Sequence, residues 1–301
     1  MPESVVVSPY VPGPVERFGR RIKLEYVGMV SVYLIVALLV FGGGAAWWHG
    51  VVGAIGSFFL FLGLKKKTRD HLSGSLVLLA ATWVARPAVV GLGWALPFLL
   101  ATAVVCALEG YVEKRQEQVY ALPLVFLAWG FLDWLWVPAL ALAAIYLTHP
   151  WSERPGLRRR LGWIVAGSLP AALVGPALGR GPALGDLAGL AAQRSPLAVP
   201  GLVALAALGL PALLCVALYW RRLIAPHRWA PLLFAPLAAW DVRLAALAAM
   251  VAAVALTATV FRLSIDSGRL RPWFKHAEWH YFWYVFAVAL WALAVRVVPG
   301  G

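Results

Sequence analysis

Six clusters of lysine and arginine, separated by long apolar runs, restrict what this chain can fold into more than any other feature. They lie at residues 17–23, 65–69, 114–115, 154–160, 221–228 and 262–275, and together hold 21 of the 26 cations. The other five are Arg86, Arg180, Arg194, Arg243 and Arg296. If alternate connections face the cytoplasm, nearly all the positive charge falls on that side, which is the asymmetry that orients membrane helices. The fold class expected is therefore all-α: a polytopic integral membrane helical bundle in the cell inner (cytoplasmic) membrane. Its N-terminus is expected in the cytoplasm and its C-terminus outside.

Composition supports lipid as the solvent. With 62% apolar residues, a mean hydropathy of +0.80 and only 13% charged residues, too little polar surface exists to coat a soluble globule of this size. A pI near 10.3 in a soluble protein would suggest nucleic acid. Here the cations cap hydrophobic spans and meet anionic headgroups, so membrane lipids are expected as partners and nucleic acid is not. Residues 1–26 read as a cytoplasmic basic segment and 27–298 as a single transmembrane domain. Because residues 1–26 lack an apolar core, no cleavable leader is expected before the first span. Cys106 and Cys215 each sit in an apolar stretch and read as small buried side chains.

Residues 27–64 carry no charged side chain and are far too long for one crossing of a hydrocarbon core about 30 Å thick. The chain is expected to fold back at Gly42-Gly43-Gly44, just before Trp47, Trp48 and His49. Residues 71–85 and 88–108 form a second pair parted by Arg86-Pro87, where proline lacks an amide hydrogen and disfavours helix at the residue before it. Residues 120–132 and 134–147 divide at Asp133 and are short, so they read either as crossings or as a re-entrant hairpin buried against other helices. Further helices are expected at 161–178, 202–220, 229–239, 244–260 and 279–297, with an outer segment at 180–197. The total is about 11 membrane-embedded helices, some short or re-entrant.

With the cations placed inside, the ionisable residues left near the other rim are His49, Arg86, Asp133, Asp186, Asp241 and Arg243. Charged groups near membrane segments pair, line wet cavities or do chemistry, although Asp241 and Arg243 also suit a solvated turn. Arg86 follows an apolar run with no cytoplasmic position to snorkel toward, and its planar fork suits a phosphate. Asp133 lies between Trp129 and Trp134, an arrangement compatible with sugar stacking or with an aromatic belt. His276 and His280 have the i, i+4 spacing of a ligand pair, or of an interfacial collar with the nearby tryptophans. No metal site is assigned and the cofactor is left unknown: there is no glycine-rich nucleotide fingerprint, HExxH, CxxC or nucleophile elbow.

At Ala85-Arg86-Pro87, at residues 122–130 (LPLVFLAWG) and at Trp240-Asp241-Val242-Arg243, the chain resembles bacterial polytopic glycosyltransferases of the C-type (GT-C) superfamily. A charged cytoplasmic link such as residues 109–118 is similar too, and the likeness covers about residues 75–265. Its first outer connection carries His49 and no carboxylate, where that family places acidic residues. The resemblance implies a polyprenyl-phosphate sugar handled at the outer leaflet. Arg86 would hold the phosphate, Asp133 or Asp241 would act as base or metal ligand, and Arg243, His49, Trp129 and Trp134 would contact substrate. The alternative reading is a non-catalytic integral subunit of an envelope, respiratory or transport assembly, with other membrane subunits as partners.

Overall fold

Proline stands at the first or second position of four of the described helices. A computed structural model describes residues 47–68, 71–114, 117–149, 155–182 and 198–266. Among them the chain forms nine α-helices: α1 Trp47–Thr68, α2 His71–Arg86, α3 Ala95–Lys114, α4 Leu122–Gly130, α5 Trp136–Ile145, α6 Pro155–Ala177, α7 Val199–Leu218, α8 Ala225–Ala238 and α9 Val242–Asp266. The expected first and last spans, the Gly42-Gly43-Gly44 turn, Asp186, His276 and His280 lie outside the described residues.

The described residues are all-helical, and three helices are long and apolar enough to cross a membrane, over Ala95–Val112, Gly201–Leu218 and Val242–Thr259. The helix expected at 88–108 starts later than the sequence suggests. Pro87 opens a π-helical turn, Pro87–Gly91, and Gly93 then takes a φ of 67°, a left-handed backbone that a side-chain-bearing residue resists. The redirected chain enters α3 at Ala95. In the next pair, α4 and α5 have 9 and 10 residues, or about 14 and 15 Å of rise. Each is about half the thickness of a hydrocarbon core. Asp241 with Arg243 is not a free turn, because α9 begins at Val242 and takes Arg243 into its first turn.

The core is built around α9. In its membrane-length stretch 83% of the residues are buried, against 22% in that of α7, so α9 is the central post and α7 turns most of its surface outward. Ala245, Ala246, Ala249 and Ala253 are fully buried, and such small side chains let neighbouring backbones approach where no hydrophobic effect drives association. α9 packs against α8, α2 and α7, while α1 lies on α3 and α4 on α6. Glycine permits the closest of these approaches. A Cβ on Gly130 would sit 2.0 Å from the carbonyl oxygen of Ala172, so only glycine closes α4 onto α6. A buried hydroxyl pair, Ser57 with Thr82 at 2.7 Å, adds a polar clasp between α1 and α2.

Contacts at the helix ends sort the charges. Gly56 meets Phe98, and Gly63 meets Cys106, so α1 runs parallel to α3 and its Lys65-Lys66-Lys67 turn reaches the same end as Lys114. There Tyr111 Oη donates to the Leu157 carbonyl at 3.0 Å, joining the end of α3 to the start of α6, which holds Arg158, Arg159 and Arg160. His227, at the start of α8, meets Glu109 of α3 at 2.9 Å, bringing the Arg221, Arg222 and Arg228 region to that end too. Arg86 and Arg243 belong to the opposite end, with the close of α2 and the opening of α9.

Candidate functional site

The end opposite the basic links collects most of the residues singled out from sequence, and an aspartate ties it together. Asp133 occupies the turn between α4 and α5. Its Oδ2 accepts from Trp94 Nε1 at 2.6 Å. Its Oδ1 accepts from Trp129 Nε1 at 2.8 Å and from the Leu135 backbone N–H at 2.8 Å. Burial pushes the Asp133 carboxyl above its ordinary value; the three donors, and the charge of Arg243, pull in the other direction. All three hydrogen-bonding partners are donors, so the ionised carboxylate is the form they recognise. Asp133 therefore fastens Trp94, the residue that leads into α3, to the hairpin formed by α4 and α5.

Asp241 has a comparable place at the start of α9. Its carbonyl accepts the first helical bond, from Ala245 N at 2.9 Å, and its Oδ1 accepts from Arg243 N at 2.8 Å, which makes it the helix N-cap. The Arg243 guanidinium grips the same carboxylate in a fork, Nε to Oδ1 and Nη2 to Oδ2, both at 2.9 Å. Asp241 is only 4% exposed. Arg243 also exerts its field on Asp133, so the two carboxylates share one electrostatic neighbourhood through a single guanidinium.

The other expected site residues fall around this core. Trp129 is fully buried and Trp134 nearly so, so neither ring offers a free face. Trp129 stacks on Phe126 at 6.2 Å, and Trp134 leans on Trp136 at 5.7 Å. His49 lies over Gly93, its ring 3.2 Å from where a Cβ would stand, and touches Trp48 at 3.8 Å. Arg86 ends α2, and its Nε is buried with no hydrogen-bond partner among the described residues. Asp133, Trp94, Trp129, Asp241 and Arg243 are thus brought together, with His49 beside the same α3 entry.

A second polar cluster escaped the sequence reading. Glu109, taken there as part of a cytoplasmic link, is 3% exposed inside the membrane-length stretch of α3. Tyr146 Oη donates to its Oε1, and His227 Nε2 meets the same oxygen at 2.9 Å. Beside it runs a narrow crevice lined by Val105, Tyr146, His227 and Val251. The available signal was one carboxylate eight residues after Ala101 in an otherwise apolar run. His149 lies nearby, and burial, followed by the charge of His227, holds it below its ordinary value. Among the described residues no group of three or more His, Cys, Asp or Glu side chains could hold a metal ion.

No known protein family, characterised protein or solved structure matches the chain.

Proposed function

We propose that the chain is a non-catalytic integral subunit of a multi-protein membrane assembly, a scaffold of about eleven membrane-embedded helices in the inner membrane. Its basic links, with residues 1–26, face the cytoplasm and its C-terminus lies outside. One observation carries this reading: the carboxylates best placed for chemistry hold the fold together. Asp133 accepts from two indoles and a backbone amide, and Asp241 caps α9 while gripping Arg243. Three of the roughly four acceptor positions of each carboxylate are committed to the protein itself, which leaves little capacity for the proton transfer a general base performs. Purification in mild detergent, followed by native electrophoresis and cross-linking, tests the proposal. A stoichiometric protein partner that also cross-links to the chain in membranes is the expected result. A chain that migrates alone and retains polyprenyl-phosphate would contradict it.

A second reading, that the chain is a GT-C-like protein handling a polyprenyl-linked sugar at the outer leaflet, rests on the buried, unpartnered Nε of Arg86. An unmatched Arg donor, at an end where the Trp134 and Trp136 Nε1 groups are unmatched too among the described residues, suits a phosphate oxygen. Sugar transfer from a polyprenyl phosphate that disappears in Arg86→Gln while the protein remains folded would favour this reading. Transfer unaffected by Arg86→Gln would remove its support.

A further inference from the structure

At the basic end, an open groove of about 540 Å³ runs along α6 and is lined by Leu147, Arg158, Arg159, Gly162, Trp163 and Ala166. Its composition changes along its length. Arg158, Gly162 and Ala166 follow one another at i, i+4 and i+8, a stripe about 12 Å long on one helix face. Arg159 and Trp163 form the adjoining stripe at the same spacing. The cations stand at the mouth, and residues 161–179 carry no charge. The floor is open, since a Cβ on Gly162 would meet nothing within 4 Å. Trp163 is 68% exposed, and an indole so placed favours the headgroup level of a bilayer.

The arginines gain little from the helix that carries them. They occupy the first turns of α6, where the peptide dipoles present their positive end and repel cations. That first turn contains no acidic residue, and among the described residues no carboxylate pairs with Arg158 or Arg159. The guanidiniums and the helix terminus therefore present positive potential of the same sign to whatever occupies the mouth. An anion satisfies that end of the groove. A small stripe of Gly162 and Ala166 beside Trp163 and Leu147 suits a hydrocarbon chain at the other. A free phosphate would leave the apolar floor unused, and an acidic peptide would place polar backbone against it.

We propose that this groove is a binding site for one anionic phospholipid, with its phosphodiester on Arg158 and Arg159 and an acyl chain along Gly162 and Ala166. The site rests on the membrane-embedded reading and on neither functional alternative. Delipidated full-length protein in a non-ionic detergent is titrated with phosphatidylglycerol, with phosphatidylcholine of the same chains, and with inorganic phosphate, and retained lipid is counted by native mass spectrometry. Phosphatidylglycerol should bind more tightly than phosphatidylcholine. Replacing both cations (Arg158→Gln with Arg159→Gln) should weaken it by about tenfold or more, toward the zwitterionic level. Gly162→Leu, which fills the floor and keeps both charges, should weaken phosphatidylglycerol as well, and Ala166→Leu serves where Gly162→Leu does not fold.

Equal binding of the two lipids would overturn the proposal. So would phosphatidylglycerol binding that survives the floor-filling variants, or full displacement by inorganic phosphate, since either would leave only a surface charge effect. A variant that loses the lipid preference while still floating with vesicles separates failure of the groove from failure of membrane insertion.

Discussion

If Asp133 is a structural fastener, exchanging it and one of its indole donors should be strongly coupled. Trp94→Phe removes the 2.6 Å bond to Oδ2 and keeps the aromatic body, so its cost is that of one hydrogen bond to a charged group, about 1.5–3 kcal/mol. Asp133→Asn keeps one acceptor oxygen for Trp129 and Leu135 but turns an N–H₂ group toward the Trp94 indole, donor facing donor. That single change should also cost about 2–3 kcal/mol. In the double variant the amide faces a phenyl ring in place of an N–H, so the clash disappears. The double variant should be less destabilised than the sum of the two by about 1–2 kcal/mol. Unfolding by sodium dodecyl sulfate titrated into mixed micelles, followed by far-ultraviolet circular dichroism, measures all four corners of the cycle. Additive losses would refute the fastener, as would an Asp133→Asn variant as stable as the parent.

Three further outcomes follow from the same structure. Asp241→Ala should cost about 2–4 kcal/mol, because it removes the α9 cap and strands a partly buried guanidinium, while Asp241→Asn, which keeps a capping oxygen, should cost less; the same titration reads both. Glu109→Ala leaves the Tyr146 hydroxyl and the His227 N–H without their shared acceptor and should cost about 3–5 kcal/mol, whereas Glu109→Gln retains Oε1 and should cost less than half as much. His149 is held below its ordinary 6.5, so the unfolded chain takes up that proton first as pH falls. Stability should decline below about pH 6.5, and His149→Gln should flatten that part of the pH profile.

The fold was legible wherever charge and length alone decide the outcome. Among the described residues, the cations of the clusters at 65–69, 114–115, 154–160 and 221–228 mark links that the structure gathers at one end, and the shortness of α4 and α5 follows from their apolar stretches. Boundaries were less legible where backbone geometry decides. Nothing in residues 88–94 forecasts a π-helical turn, because Pro87 permits several exits from a helix; the one taken places Gly93 under His49. The site shows the same division. Asp133 and its tryptophans are adjacent in sequence and invite a sugar-binding reading, yet the partner that completes the fastener, Trp94, is 39 residues away. Glu109 was hidden by its nearness to Lys114. A carboxylate close to a helix end reads as part of the link until a tyrosine and a histidine from other helices are seen to cover it.

The central claim is that the helices cross a membrane with the basic links on the cytoplasmic side. Its most direct test is labelling of single engineered cysteines in intact cells with a membrane-impermeant maleimide, in a chain carrying Cys106→Ala and Cys215→Ala. Trp240 and Arg221 are both exposed and stand at opposite ends of α8. Trp240→Cys should label from outside, and Arg221→Cys should label only after the membrane is opened. Labelling of Arg221→Cys from outside, with Trp240→Cys protected, would contradict the orientation and every role assigned to the opposite end.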